Sequence, residues 1–303
     1  MPKIKYAKYM VDFTPQTEWS EGTGWFLITA FFTGGIAGGL YLLSLQQHFW
    51  LGAVIAYGIV LLIKFPAHLL FLGHPFRFWR LVWRPQSSWL SRTMISELMF
   101  SVFPFLQLLA WTVEKYPALN TWLGWLPWSG FNPVIVGIAA FSAFVMIIGT
   151  GFIIAGGMGI QAWNTTLVPF LMLSYSFLGG TGLILLMSPW LSSADVNMAT
   201  IELIARWLLG VTALLVIIYL WTVYYAGPAA KRSVIDLFKG RAAMTFVPGV
   251  IVLGLIIPIA VISWGTVGQL SPGIVFFAAV CELIGGFTMR YSLIKAGVFA
   301  PLV

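Results

Sequence analysis

The sequence predicts an all-α integral membrane protein of eight transmembrane helices, on three observations. The chain has 303 residues, 60% hydrophobic and only 8% charged, with mean hydropathy +0.94, whereas an average soluble domain is about 25% charged. Apolar runs long enough to cross a bilayer occupy 24–46, 50–72, 93–113, 132–156, 165–190, 200–224, 244–264 and 271–295. The basic residues also alternate between sides. Lys3, Lys5 and Lys8, the four arginines of loop 2–3, the cluster Lys231, Arg232, Lys239 and Arg241 of loop 6–7, and the C-terminal Arg290 and Lys295 share one face. The opposite loops hold only Lys115, while Lys64 and Arg206 lie within helices. By the positive-inside rule both termini are expected in the cytoplasm of a prokaryotic cell, with the chain multi-pass in the inner membrane.

Residues 1–23 are polar, and the first apolar run is too long for a signal peptide and lacks a small-residue cleavage site, so it is read as helix one. Within it, Gly34, Gly35, Gly38 and Gly39 form two overlapping small-xxx-small pairs that let another helix approach closely. Helix two carries Lys64 and His68 toward a Gly73-His74-Pro75 turn, followed by a Trp-rich loop with Arg77, Arg80, Arg84 and Arg92. Helix three opens with Glu97 in its first turns. Trp79, Trp83, Trp89, Trp122, Trp125 and Trp128 fall near predicted helix ends, where the amphipathic indole anchors at the interface. Helix five repeats the flavour of helix one, SFLGGTGLILLMS against FFTGGIAGGLYLLS, which suggests a single membrane domain of two four-helix halves, 1–156 and 157–303. Glycine is also simply common in membrane helices, and that alternative stays open.

Composition excludes several chemistries. The lone Cys281 rules out an internal disulfide or a protein-held iron–sulfur cluster, which needs several thiolates. The three histidines, His48, His68 and His74, offer no pair at one depth for axial haem ligation, because His48 lies at the other face of the bilayer. The net charge of +7 reflects membrane topology rather than nucleic-acid binding. No phosphate loop, metal-spaced Cys/His cluster or nucleophile elbow occurs.

Ionisable groups inside a bilayer are costly, so a cluster of them is a functional-site hypothesis. Lys64 and His68, at i and i+4, share a helix face, and Glu97 and Arg290 return to a similar depth from helices three and eight. Four polar groups from three helices are thus expected to converge near one face. They could bind the headgroup of a lipid-soluble quinone: His68 and Glu97 as proton partners, Lys64 or Arg290 polarising a carbonyl. The competing reading is a set of structural ion pairs, Glu97 with Lys64 or an arginine, with snorkelling basic side chains. Glu202 and Arg206 most simply pair on helix six. Glu282 falls close to the midplane, either protonated, hydrogen-bonded to another helix, or part of a proton path with Arg206 and Glu202. A proton- or solute-translocating transporter without a redox role is the alternative overall function.

GGIAGGLYLL in helix one, LGHPFRFW (Leu72–Trp79), SSWLSR (Ser87–Arg92) and CELIGGFTMRYSLIKAG (Cys281–Gly297) resemble the NrfD/PsrC-type membrane subunits of polysulfide-reductase-like complexes, with kinship to the DMSO-reductase anchor. The resemblance implies a haem-free anchor that binds menaquinone or ubiquinone for anaerobic respiration. It also implies two partners: a four-cluster ferredoxin-like iron–sulfur subunit, and a molybdopterin catalytic subunit holding molybdenum or tungsten. The basic face, with Arg80, Arg84 and Arg92, would dock the iron–sulfur partner. Arg77 matches the family's loop arginine and would contact the headgroup region or the partner. The family's Asp, or the DMSO-reductase anchor's His, two residues before the motif glycine is here Phe71, and the latter's quinol-linked Glu falls at Thr93. With Lys64 and His68 upstream of Phe71 and Glu97 one turn past Thr93, the polar groups have moved by about a turn while serving the same pocket.

Overall fold

The computed structural model describes residues 12–124, 132–192, 195–265 and 271–301. Lys3, Lys5, Lys8, Trp125 and Trp128 lie outside the described residues. Among the described residues, eight helices are long and apolar enough to cross a membrane: α1 (Gly24–Gln46), α2 (Trp50–Phe71), α3 (Trp89–Lys115), α4 (Pro133–Ala155), α5 (Leu167–Trp190), α6 (Met198–Ala226) and, after the shorter α7 (Pro228–Lys239), α8 (Ala243–Gly265) and α9 (Pro272–Lys295).

Local chemistry sets several of these ends. The Ser88 hydroxyl accepts from Ser91 N–H at the start of α3, and Asn132 and Asn197 side chains accept from Val134 and Thr200 at the starts of α4 and α6. Each satisfies a backbone donor that the first helical turn leaves free. Proline stands in the first turn of α4, α7 and α9, where its missing N–H costs nothing. The α2 helix stops as Leu72 turns extended ahead of Gly73-His74-Pro75.

The centre of the bundle is α1, which buries residues on all sides, among them Ile28, Phe31, Ala37, Leu40 and Tyr41, as a helix apolar all round must. Its glycines let α5 approach to backbone contact. A Cβ on Gly39 would meet the Ser176 carbonyl, and one on Gly180 would meet the backbone of Gly39 and Leu40. The two Gly-rich stretches noted in the sequence therefore cross each other. Gly254 and Gly285 do the same for α8 and α9.

One end of the bundle gathers the chain's charged connections. A 3₁₀ segment, Pro75–Trp83, fills loop 2–3. Strands β1 (Thr14–Pro15) and β2 (Val298–Phe299) pair antiparallel, Thr14 opposite Phe299, and tie the two ends of the chain together. Loop 6–7 is the amphipathic helix α7, which buries Ala230, Ser233, Val234 and Leu237 while exposing Lys231, Arg232 and Lys239. Asp236 on its inner face pairs with Arg232 at 3.3 Å and Arg241 at 3.8 Å, and Arg241 also donates to the Lys295 carbonyl at 2.8 Å.

Candidate functional site

The site begins with a defect in α2. Pro66 has no N–H for the carbonyl of Leu62 and its ring crowds that carbonyl. The helix answers with a π-helical turn over Val60–Lys64 just ahead of the proline, a widening that recurs at functional sites. This turn swings Lys64 into the bundle, where its stem lies against Gly34 of α1, at a position a Cβ would occupy. The Lys64 ammonium forms an ion pair with Glu97 of α3. The side chains are almost wholly enclosed, Lys64 at 2% and Glu97 at 4% exposure, so each compensates a charge that would be prohibitive alone. One turn along α2, His68 Nδ1 lies 3.5 Å from Lys64 Nζ and 3.8 Å from Glu97 Oε2. Its ring meets Phe31 edge-on at 6.0 Å.

His68 and Glu97 form the polar end of a cleft of about 360 Å³ between α1, α2, α3 and α4. Leu27 and Phe31 of α1, Phe71 and Leu72 at the end of α2, and Leu90 and Met94 of α3 supply apolar wall. Phe78 and Leu81 close it from loop 2–3. Thr93, Ser101 and Thr150 also line the cleft, but each hydroxyl donates to a carbonyl of its own helix: Trp89, Glu97 and Met146. The imidazole and the carboxylate are therefore the ionisable groups that meet a ligand in the cleft.

Lys64, His68 and Glu97 converge as expected, and Thr93 joins them on the wall. Arg290 does not. It lies across α1, against Gly35, where Nη1 donates to Gly286 O at 2.9 Å and Nη2 to Ser176 Oγ at 3.0 Å, with Phe32 5.6 Å from the guanidinium. Arg290 shares the depth of Lys64, the two lying against adjacent glycines of α1, but not its side, because α1 stands between Arg290 and the cleft. Arg77 is exposed on loop 2–3 and does not line the cleft. Arg92, half-buried, donates to the carbonyls of Pro85 and Gln86, both at 2.7 Å, and stacks on Trp89, so it fastens the loop to α3. Arg80, over Trp79, and Arg84 remain exposed. The apolar walls from α1 and α4, including Thr150 and Ile153, went unnoticed in the sequence, as did Trp19.

Toward the opposite end, Glu202 and Arg206 form no ion pair with each other. Both are exposed and border a second cavity of about 380 Å³, with Leu185 of α5, Val261 and Ile262 of α8, and Glu282 of α9. Glu282 is buried, and among the described residues its Oε2 has no hydrogen-bond partner, so this oxygen makes no interhelical bond.

No curated protein matches the chain. The family model described as "Polysulphide reductase, NrfD" does, over residues 17–301. With eight apolar spanning helices and a match across nearly its whole length, the chain belongs to the NrfD polysulphide reductase family of membrane proteins.

Proposed function

We propose that the chain is the haem-free, quinone-binding membrane anchor of a multisubunit oxidoreductase, exchanging electrons between a partner iron–sulfur subunit and the membrane quinone pool. The observation that carries this reading is the cleft, whose apolar walls end on His68 and Glu97 with Lys64 bonded behind the carboxylate. Its volume falls in the range of small-molecule sites, and a few placed polar groups on an apolar wall are what orient such a ligand. A quinone supplies two-electron, two-proton carrier chemistry. No hydrogen bond among the described residues engages His68 Nε2, so it can donate to or accept from one ring oxygen. Glu97 Oε2 lies 3.8 Å from the imidazole Nδ1, a gap that one bridging water or a small side-chain shift closes for proton transfer, and Lys64 holds the carboxylate's charge in an otherwise apolar setting. Leu27, Phe31, Leu90 and Ile153 keep water away from the headgroup and accept an isoprenoid chain.

The partner would dock on the end that carries loop 2–3, α7 and the two strands, with the molybdopterin catalytic subunit beyond it. Positive-inside reasoning puts this end in the cytoplasm. In the intact complex, His68→Ala and Glu97→Gln should each lower quinone-linked turnover by at least about a hundredfold, the usual scale for losing a general acid or base. Reaction of the catalytic subunit with artificial dyes should stay unchanged. Normal quinone turnover in both variants would remove these residues from the proposal.

A transporter without a redox role is the second reading, favoured by the polar cavity at the other end of the bundle. Purification from native membranes separates the two. Co-isolated iron–sulfur and pterin subunits support the anchor, and a solitary chain supports the transporter.

A further inference from the structure

We infer that the cavity bordered by α5, α6, α8 and α9 is a hydrated half-channel that brings Glu282 into proton exchange with the membrane face opposite loop 2–3.

Three placements carry the inference. The rim lies where α6 begins, α8 ends and α9 begins: Glu202 is in the second turn of α6, Gly265 is the last residue of α8, and Val275 is in the first turn of α9. Chain topology puts these three helix ends on one face, away from loop 2–3. The floor is Glu282, about 15 Å along α9 and so about half-way through the hydrocarbon layer. Between rim and floor, Arg206 sits about 12 Å along α6. The cavity thus descends from exposed charged side chains to a carboxyl that is only 3% exposed.

A buried carboxyl oxygen without a partner is costly, and Glu282 Oε2 has none among the described residues. The space beside it, about 380 Å³, far exceeds the roughly 30 Å³ that one water occupies. It also offers the several polar partners that ordered water requires: Glu282 below, Arg206 and Glu202 above. Among the described residues, no other titratable group faces the carboxyl across the cavity. The α5 and α8 walls are Leu185, Val261, Ile262 and Gly265, and on α9 itself the neighbouring Cys281 is buried. The exchange consists of one proton passing from cavity water to the carboxylate and back, with no change of redox state. The cavity shares no lining residue with the cleft at His68 and Glu97, so the inference stands under either reading of the protein's function.

The test uses the full chain in sealed membrane vesicles of known orientation, in a Cys281→Ser background. Ala278 lines the cavity, whereas Phe277 beside it is exposed on the outside of α9. The cysteine thiolate, which needs water to form, attacks the sulfenyl sulfur of a small, charged, membrane-impermeant methanethiosulfonate reagent, forming a mixed disulfide and releasing methanesulfinate. The reagent should label Ala278→Cys at least about tenfold faster than Phe277→Cys, and only from the side where α6 begins. Equal slow rates, or labelling of Ala278→Cys from the loop 2–3 side, would overturn the half-channel. Infrared spectroscopy then examines the carboxyl itself. A carboxylic C=O band that responds to the pH on the α6 side and vanishes in Glu282→Gln supports the exchange. A Glu282 band indifferent to that pH refutes it.

Discussion

At the scale of single residues, the buried pair of Lys64 and Glu97 decides how the cleft can be altered. Removing one partner leaves an uncompensated charge in the bundle, a loss on the order of 3–5 kcal/mol, whereas removing both can be nearly neutral. Lys64→Met and Glu97→Gln should therefore each lower the midpoint of detergent-induced unfolding, and the double variant should recover most of the loss without recovering quinone turnover. Additive destabilisation in the double variant would mean that the two side chains contribute independently and that the pair is not a unit. The polar members of this site were legible in the sequence because an ionisable group inside an apolar span has few neutral explanations. Their apolar companions were not. Leu27, Phe31 and Ile153 line a cleft, but a leucine facing a cleft and one facing lipid are the same letter. Arg290 shows the matching limit: position along a helix reads out depth, while the direction in which the side chain leaves the bundle axis depends on how α1 and α9 are rotated against each other.

At the scale of elements, the crossing of α1 and α5 depends on the absence of side chains at two glycines. Membrane helices gain nothing by hiding apolar surface from lipid, so their association rests on close packing and a few polar contacts. A Cβ at Gly180 would strike the backbone of α1, which has no flexible end to move aside, whereas one at Gly58 or Gly210 would meet open space. Gly180→Val should accordingly abolish accumulation of folded protein in the membrane, while Gly58→Ala and Gly210→Ala should leave it unchanged. Comparable yields across the three would show that the α1–α5 contact is not needed for assembly. The eight spans were readable because length and hydropathy suffice to define them, and observed ends differ from expected ones by a few residues at most. By sequence α7 reads as a loop, because it is too short and too polar to span. Its buried Ala230, Ser233, Val234 and Leu237 nevertheless recur at helical spacing. The π-helical turn of α2 is announced only by Pro66, and a proline reports a disrupted helix without saying which way the helix adjusts.

For the whole molecule, the decisive property is the asymmetry of charge between the two ends of the bundle. Arg77, Arg80 and Arg84 on loop 2–3 and Lys231 and Lys239 on α7 are exposed at one end, whereas Arg92 and Arg241 there are already engaged by backbone carbonyls or Asp236. Exposed charges steer an oppositely charged partner and are screened by salt, while engaged ones hold local structure. The two classes should separate by experiment. Reversing Arg80 and Arg84 to Glu should weaken binding of the soluble partner subcomplex to membranes by about fivefold per charge at low salt, which corresponds to on the order of 1 kcal/mol each. That deficit should shrink as salt rises toward the point where the Debye length falls below the contact distance. Arg92→Ala should behave differently, with a deficit that does not change with salt, because loop 2–3 has lost its fastening to α3. Sedimentation of membranes with the partner across a salt series distinguishes these slopes. A salt-independent loss in the Arg80 and Arg84 reversals would place the docking surface elsewhere on the protein.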